Sequence, residues 1–276
     1  DASVTNRTVT IEDGALATVG NNANSNESVI YFSNVSNSTV DNVDFTRTGS
    51  PQYAIGLRLD NNINFYPFTI KNNTFGTRRT GIYANVVTGL TIDSNLVNSC
   101  GAAATELAMY LLNTTFSTGK SIHHNTFSGT FTHGLRLENV NDVIIGDSSV
   151  VNVELQLEPY CGINKASTRA IHLENTNRVD IEQVSLSLTG TTSGTGLYVV
   201  GGSYMRARSL TVQKRVDGID LVSGNNHTIQ CSDLSLNTDA LQIAAPVSSM
   251  TIEQNSFTGN TAYAINSAAT VKAENN

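Results

Sequence analysis

The chain has 276 residues, of which 39% are hydrophobic and only 14% are charged, and its formal net charge is -7 at pH 7. This length and apolar content can bury a sizeable core, which excludes a disordered protein. The negative charge argues against binding to nucleic acid or to an anionic membrane surface, and no stretch reaches the roughly 20 apolar residues of a membrane span. The chain also contains 32 Asn, 27 Ser and 33 Thr. These residues offer the backbone competing hydrogen bonds, so the composition favours strands and turns over helices.

A phrase of the form small–apolar–X–apolar recurs ten times along the chain, at steps of 22 to 36 residues. Its copies begin at Val29, Gly56, Gly81, Ala108, Gly134, Ala170, Gly196, Gly218, Ala240 and Ala262. A second phrase, apolar–T–I–X–X–N–X–apolar, falls between these copies, as in FTIKNNTF from Phe68 and MTIEQNSF from Met250. Each cycle therefore predicts two or three short strands separated by turns that contain Asn or Gly. Only the segment 101–109 (GAAATELAM) could form one or two helical turns.

A cycle of this length without a helix cannot bury a face alone, so its core is completed when successive cycles stack. The repeat resembles the right-handed single-stranded parallel β-helix of the pectate-lyase-like superfamily, and it extends over residues 4–271. The resemblance implies an all-β solenoid of about 10–11 coils, formed by one domain over residues 1–276, in a rod on the order of 50 Å long. It also implies an inward ladder of asparagines, which here would consist of Asn73, Asn95, Asn125 and Asn255.

The X position of the first phrase points away from the core, because its two apolar neighbours point inward. The X residues are Tyr31, Arg58, Tyr83, Tyr110, Arg136, His172, Tyr198, Asp220, Gln242 and Ala264. Two residues further along the chain lie Asp60, Asn85, Glu138 and Glu174. Flat rings and bidentate donors spaced by one strand suit an extended polysaccharide. The alternative is that these are ordinary surface residues, and that Arg58 with Asp60, Arg136 with Glu138 and His172 with Glu174 only neutralise one another.

The longest step, between Arg136 and His172, predicts a loop insertion near 151–169 that would form a wall beside the column of X residues. The loop contains Cys161, which could form a disulfide with Cys100 only if the loop folds back, because two coil spacings exceed the Cα separation of a disulfide. Cys231 is predicted to be a packed, unreactive thiol.

Catalysis is the second functional hypothesis. A metal-free polysaccharide lyase or a hydrolase acting on an acidic polysaccharide could use Tyr110, Arg136 and His172, with Arg136 neutralising a uronate and Tyr110 or His172 as acid and base. Residues 216–243 also resemble a segment of polygalacturonase-type glycoside hydrolases, in which Asp217 and Asp239 match two of three catalytic carboxylates. Thr238 stands in place of the general acid, and neither G-H-G nor R-I-K follows. We therefore interpret the two aspartates as turn-forming residues.

No metal and no cofactor is predicted. A calcium site would need carboxylates on adjacent coils, but the outward column of the second phrase is interrupted by Lys71, His123, Gly146 and Arg208. Adjacent strand residues such as His123 and His124 point to opposite faces, although a turn begins here, so the pair is predicted to be a poor metal site and a solvated histidine beside a turn.

No capping helix is visible at either end of the repeat, so the ends are predicted to be uncapped. The sequence thus predicts an extracellular or cell-surface scaffold or adhesive module, whose partner is a polysaccharide or cell-surface glycan. The predicted glycan-binding residues are Tyr31, Arg58, Tyr83, Tyr110, Arg136, Glu138, His172, Glu174 and Tyr198. A third hypothesis is a structural subunit that forms a homo-oligomer or assembles end to end.

Overall fold

The computed structural model describes residues 9–15, 28–35, 37–45, 55–62, 67–76, 80–100, 107–116, 122–130, 132–146, 169–188 and 190–276. These residues form 26 strands, all paired in parallel, in two sheets that together make a parallel β-helix. The predicted all-β solenoid is confirmed. Within the described part of the chain, no helix is long and apolar enough to cross a bilayer.

The first sheet, called sheet 1, contains ten strands, and each strand belongs to one coil. In stacking order they are β2 (Ser28–Ser33), β4 (Ile55–Asn62), β7 (Thr80–Val87), β10 (Leu107–Leu112), β13 (His133–Glu138), β15 (Arg169–Glu174), β17 (Thr195–Val200), β19 (Asp217–Leu221), β22 (Asp239–Ile243) and β25 (Tyr263–Ser267). Nine of the ten copies of the first phrase lie within these strands, and their alternation with a period of two predicts the register from β2 to β22. The last copy begins at Ala262, one residue before β25.

The second sheet, called sheet 2, contains sixteen strands. Its main path consists of β1 (Thr10–Ala15), β3 (Ser38–Asp44), β5 (Phe68–Lys71), β8 (Leu90–Asp93), β11 (Ile122–His123), β14 (Asn141–Gly146), β16 (Asn177–Glu182), β18 (Ser203–Arg208), β21 (Thr228–Gln230), β24 (Thr251–Glu253) and β26 (Lys272–Glu274). A branch beyond the corner contains β6 (Thr74–Gly76), β9 (Leu96–Cys100) and β12 (Thr126–Thr130), and two short strands, β20 (Gly224–Asn225) and β23 (Val247–Ser248), complete the sheet. The second phrase supplies the strands of the main path.

The inward residues of both sheets form one continuous apolar core that runs the length of the coil stack. Leu57 and Leu59 of sheet 1 and Ile70 of sheet 2 are completely buried in it. The phrase usually begins with glycine or alanine because the next coil lies close to this position. A Cβ atom on Gly81 would lie 2.9 Å from the carbonyl oxygen of Ala108, which is closer than real Cβ contacts.

Asparagines satisfy the buried backbone at the corner that follows the strands of sheet 2. The Oδ1 atom of Asn95 accepts hydrogen bonds from the backbone nitrogen and the side-chain amide of Asn73, at 3.0 and 2.9 Å. Asn95 donates in the same way to Asn125. Asn255 stacks on Asn276, a member of the ladder that the repeat did not predict. The predicted ladder is confirmed, and it pairs polar groups that would otherwise be buried without partners.

Corners between strands are formed by residues with left-handed backbone angles. One corner follows the strands of sheet 1 and contains Asn34, Asn61, Val86, Asn113, Asn139, Asn175 and Gly201, all with positive φ. Asparagine and glycine adopt this conformation readily, whereas a β-branched residue such as Val86 is strained in it. The abundance of Asn in the sequence is therefore explained both by these corners and by the inward ladder.

Three local predictions are wrong. Leu107–Met109, within the possible helical segment, lies in strand β10, while 101–106 falls outside the described residues. The last outward position of sheet 1 is Asn266 and not Ala264, because Gln242 pairs with Asn266. Cys231 is exposed and not packed, since its φ of 51° turns it outward at a corner. The predicted insertion, apart from Arg169, and the Cys161 end of the predicted disulfide also lie outside the described residues.

Candidate functional site

The predicted outward column stands on sheet 1 as one line of side chains, which we call the sheet 1 column. In register from strand to strand it contains Tyr31, Arg58, Tyr83, Tyr110, Arg136, His172, Tyr198, Asp220, Gln242 and Asn266. The neighbouring line holds Asp60, Asn85, Glu138 and Glu174, as predicted. The sequence therefore placed every candidate side chain on one face, and the contacts among them decide what that face can do.

The first part of the column is a stack in which an arginine alternates with tyrosines. The guanidinium of Arg58 lies 5.5 Å from the ring centre of Tyr31 and 5.3 Å from that of Tyr83. Its Nε atom also donates to Asp60 at 2.7 Å, so its charge is neutralised. Tyr31 at the start of the stack is 55% exposed. One face of each ring is thus occupied by the cation, while Tyr31 keeps a large surface open to solvent.

Tyr110 and Arg136 share their carboxylate partners. The hydroxyl of Tyr110 donates to Oε2 of Glu138 at 2.5 Å, and Nη2 of Arg136 donates to Glu138 and Glu174 at 2.8 Å each. The Arg136 guanidinium also lies 5.0 Å from the Tyr110 ring centre. Burial and the hydrogen bond to Glu138 raise the pKa of Tyr110 well above its usual range. Tyr110 is therefore a hydrogen-bond donor at ordinary pH, and the positive charge of Arg136 is already balanced.

His172 differs from its neighbours in the column because the residue is only 5% exposed. It stacks on His133 with ring centres 5.0 Å apart and meets the ring of Tyr198 edge-on at 5.0 Å. Burial, assisted by the charges of neighbouring groups, lowers the pKa of His172 to about 3 and that of His133 to about 4. Both rings are neutral at pH 7, so the 3.7 Å approach of His172 to Glu174 is not an ion pair there. Of the three predicted charge pairs, those of Arg58 and Arg136 form, and that of His172 does not.

A second outward line, which the sequence pattern did not predict, lies at the start of the same strands. This line contains His133, Arg169, Thr195, Asp217, Asp239 and Tyr263, paired in register. Arg169 places its guanidinium 3.5 Å from the ring centre of Tyr198, the closest such contact in the described residues. In the copies that begin at Gly134 to Ala240, these residues occupy the position immediately before the small residue of the phrase. Simple alternation along the strand predicts that this position faces inward, so the line was not expected.

Three carboxylates meet at the far end of the face. Asp217 and Asp239 pair directly on neighbouring strands, and Asp220 lies in the same strand as Asp217. Burial and the Asp217 carboxylate raise the pKa of Asp220 to about 6, and burial and Asp239 raise the pKa of Asp217. The interpretation of Asp217 and Asp239 as turn-forming residues is wrong, because each is the first residue of a strand.

The face consequently has two electrostatic sections. In the described coils from Tyr31 to Tyr198, the arginines Arg58, Arg136 and Arg169 balance the carboxylates Asp60, Glu138 and Glu174. In the section that follows, the charged residues of the two outward lines are all acidic, namely Asp217, Asp220 and Asp239. A ligand would therefore meet a long neutral surface of rings and hydrogen-bonding groups, and then an acidic end.

Comparisons with known proteins identify the architecture. A family model described as a right handed beta helix region matches residues 29–208 and, in an overlapping match, residues 111–276. Neither the curated proteins nor the solved structures gave a match. The match covers most of the chain, and it agrees with the parallel pairing of both sheets.

Proposed function

The chain belongs to the right-handed β-helix family, and from that premise we propose that it is a surface or adhesive scaffold that binds an uncharged, hydroxyl-rich glycan along the sheet 1 column. The observation that supports this proposal is the unbroken line of rings and hydrogen-bonding groups from Tyr31 to Tyr198 on seven successive strands. Such a line matches a polymer whose repeating units also present a polar edge and an apolar ring face. The proposal includes an extracellular or cell-surface location.

The charge pattern favours a neutral glycan over an acidic one. Arg136 already binds two carboxylates, so a uronate would have to displace Glu138 or Glu174. Sugar hydroxyls face no such competition, because they can donate to the same carboxylates and accept from the arginine. Arg58 is neutralised by Asp60 in a similar way.

The same contacts favour binding over catalysis by Tyr110, Arg136 and His172. A base must be accessible and must have a pKa near the working pH. His172 is buried, with a pKa lowered to about 3, and Tyr110 holds its proton in a hydrogen bond to Glu138. Their roles in an enzyme stay a prediction, which a test of product release from neutral and acidic polysaccharides would check.

The proposal is tested by glycan retention, measured by affinity electrophoresis in gels that contain neutral or acidic polysaccharides. Tyr83→Ala and Tyr110→Ala should each weaken retention of a neutral glycan by about tenfold, the effect of losing a ring that supplies more than 1 kcal/mol. Tyr204→Ala is the matched control, since Tyr204 is 58% exposed but lies on sheet 2. Retention that is unaffected by both column variants, or that requires an acidic glycan, would refute the proposal. Assembly through the ends of the rod stays a separate prediction, to be checked by light scattering.

A further inference from the structure

Three metal-ligating side chains converge at the corner that follows sheet 2, on a different surface from the sheet 1 column. Asp93 is the last residue of β8, His123 is the last residue of β11, and His124 follows it. The Nδ1 atoms of His123 and His124 each lie 3.0 Å from Oδ1 of Asp93. They lie 3.2 Å from each other. The three atoms therefore form a nearly equilateral triangle.

The convergence results from the backbone at the corner. His124 has a φ of 52°. Its counterparts on earlier coils have similar positive values, 56° for Asn72 and 55° for Ser94. This left-handed turn rotates the His124 side chain to the same side as that of His123. The strand ends at His123, as the predicted turn requires, and the expectation from strand alternation that the two histidines point to opposite faces is therefore wrong.

We propose that Asp93, His123 and His124 bind a divalent transition metal ion of the zinc class. Metal–nitrogen and metal–oxygen bonds in such sites are about 2.0–2.2 Å long. An ion about 2.1 Å from each of the three atoms would lie roughly 1 Å out of their plane, with ligand–metal–ligand angles of about 90–100°. The three ligands would thus occupy one face of the ion and leave its other positions for water.

The ligand set determines which ions fit. Imidazole nitrogen suits zinc, copper, nickel and iron, whereas calcium and magnesium prefer sites made of oxygen alone. Ser94 donates from Oγ to Oδ1 of Asp93 at 2.8 Å, which orients the carboxylate as outer partners of metal ligands commonly do. The side chains of Asp93 and His124 are 28% and 45% exposed, so an ion can enter from solvent.

An equivalent corner on earlier coils provides an internal comparison. There the carboxylate of Asp41 forms an ion pair with Nζ of Lys71 at 3.0 Å and accepts a hydrogen bond from Nδ2 of Asn72 at 2.8 Å. Lys71 and Asn72 occupy the positions that correspond to His123 and His124. Lys71 and Asn72 present hydrogens to the carboxylate, whereas a neutral imidazole can present a lone pair. The two corners share their backbone and their carboxylate, and only the one with histidines can coordinate a metal.

A bound ion would connect two successive coils, because Asp93 comes from one and both histidines come from the next. The strand that carries the histidines, β11, contains only two residues, Ile122 and His123. Binding to the folded state alone raises the apparent stability, and the gain grows with the logarithm of the ligand concentration above the Kd. The metal should therefore act as a clip at a coil with a short strand.

The test is a titration of the whole chain, first freed of metal with a chelator, with Zn²⁺ and Co²⁺. We expect binding that raises the thermal unfolding midpoint and a visible Co²⁺ spectrum with nitrogen ligands, whereas Ca²⁺ and Mg²⁺ have no effect. Asp93→Asn, His123→Gln and His124→Asn should each reduce affinity by about tenfold or more. Asn at position 124 also tolerates the left-handed backbone, so this variant should keep the fold.

Asp41→Asn is the matched control, which should bind Zn²⁺ as the unchanged chain does. Circular dichroism of each metal-free variant checks the fold. If Asp93→Asn or His123→Gln disturbs the fold, the test rests on His124→Asn, because His124 is the most exposed of the three ligands. The proposal is overturned if Zn²⁺ binding survives His124→Asn unchanged, if Asp41→Asn weakens it equally, or if no Co²⁺ spectrum with nitrogen ligands develops.

Discussion

The lowered pKa of one buried histidine should make the β-helix less stable in mild acid. His227 precedes β21 and is 1% exposed, and its Nδ1 accepts a hydrogen bond from the backbone nitrogen of Met205 at 3.3 Å. Burial lowers the pKa of His227 from 6.5 to about 4, because the charged ring would lose its hydration. The folded state must therefore release a proton that the unfolded chain keeps between these two pH values.

The sign and size follow from proton linkage. Because the folded pKa lies below the unfolded one, the contribution is fully present above pH 6.5 and is lost as the pH falls toward 4. At pH 5 the unfolded chain is almost fully protonated at this site and the folded protein is not. With 1.36 kcal/mol for each pKa unit, the loss at pH 5 relative to pH 7.5 is about 2 kcal/mol.

The assay compares the wild-type chain with His227→Asn. The Asn side-chain oxygen can accept the hydrogen bond from Met205, so the variant keeps the acceptor and removes the titrating group. Its smaller volume should cost about 1–2 kcal/mol at every pH. Since the chain contains no Trp, urea unfolding is followed by circular dichroism at pH 7.5 and pH 5. An equal loss of stability on acidification in both proteins would refute the reasoning.

Five further substitutions test the backbone and the ladder by urea unfolding. Val86 has a φ of 56° at a corner that Asn113 occupies one coil later, so Val86→Asn should stabilise the fold by about 1 kcal/mol and Asn113→Val should destabilise it by a similar amount. Asn95→Ala should cost about 3 kcal/mol, because several buried ladder groups lose their partner, and a cost below about 1 kcal/mol would contradict the ladder's importance. Gly81→Ala should cost about 1–3 kcal/mol, whereas Gly14→Ala should change little, since a Cβ there meets nothing within 4 Å.

The register of sheet 1 could be predicted from the sequence because strand alternation has a period of two and each phrase combines it with a small residue. The register was predicted wrongly where the pattern of apolar residues does not match their burial. In the last coil, the apolar residues of the sequence predicted Ala264 as the outward position of the column. The register places Asn266 at this position, and Tyr263, predicted to face inward, is 56% exposed. A pattern of apolar residues cannot fix register where none of them is fully buried.

The contacts within the site could not be predicted, because they depend on side chains from separate coils. The burial of His172 follows from its stacking on His133, which belongs to another outward line. The convergence of His123 and His124 follows from one backbone angle. The sequence did contain a hint of that angle, since the same position in other copies of the second phrase holds Asn72 and Ser94, residue types that favour turns.

The effect of His227 must be measured as the difference between the wild-type chain and His227→Asn, because other groups change the stability of the folded protein over the same pH range. Asp220 has its pKa raised to about 6 by burial and by Asp217, so the folded state binds the extra proton and stability from this group rises as the pH falls from 6 toward 3.8. The buried His227 works in the opposite direction over an overlapping range. The wild-type profile is the sum of these effects and of those of His133 and His172, whose pKa values are also lowered. The subtraction of His227→Asn removes every contribution that both chains share.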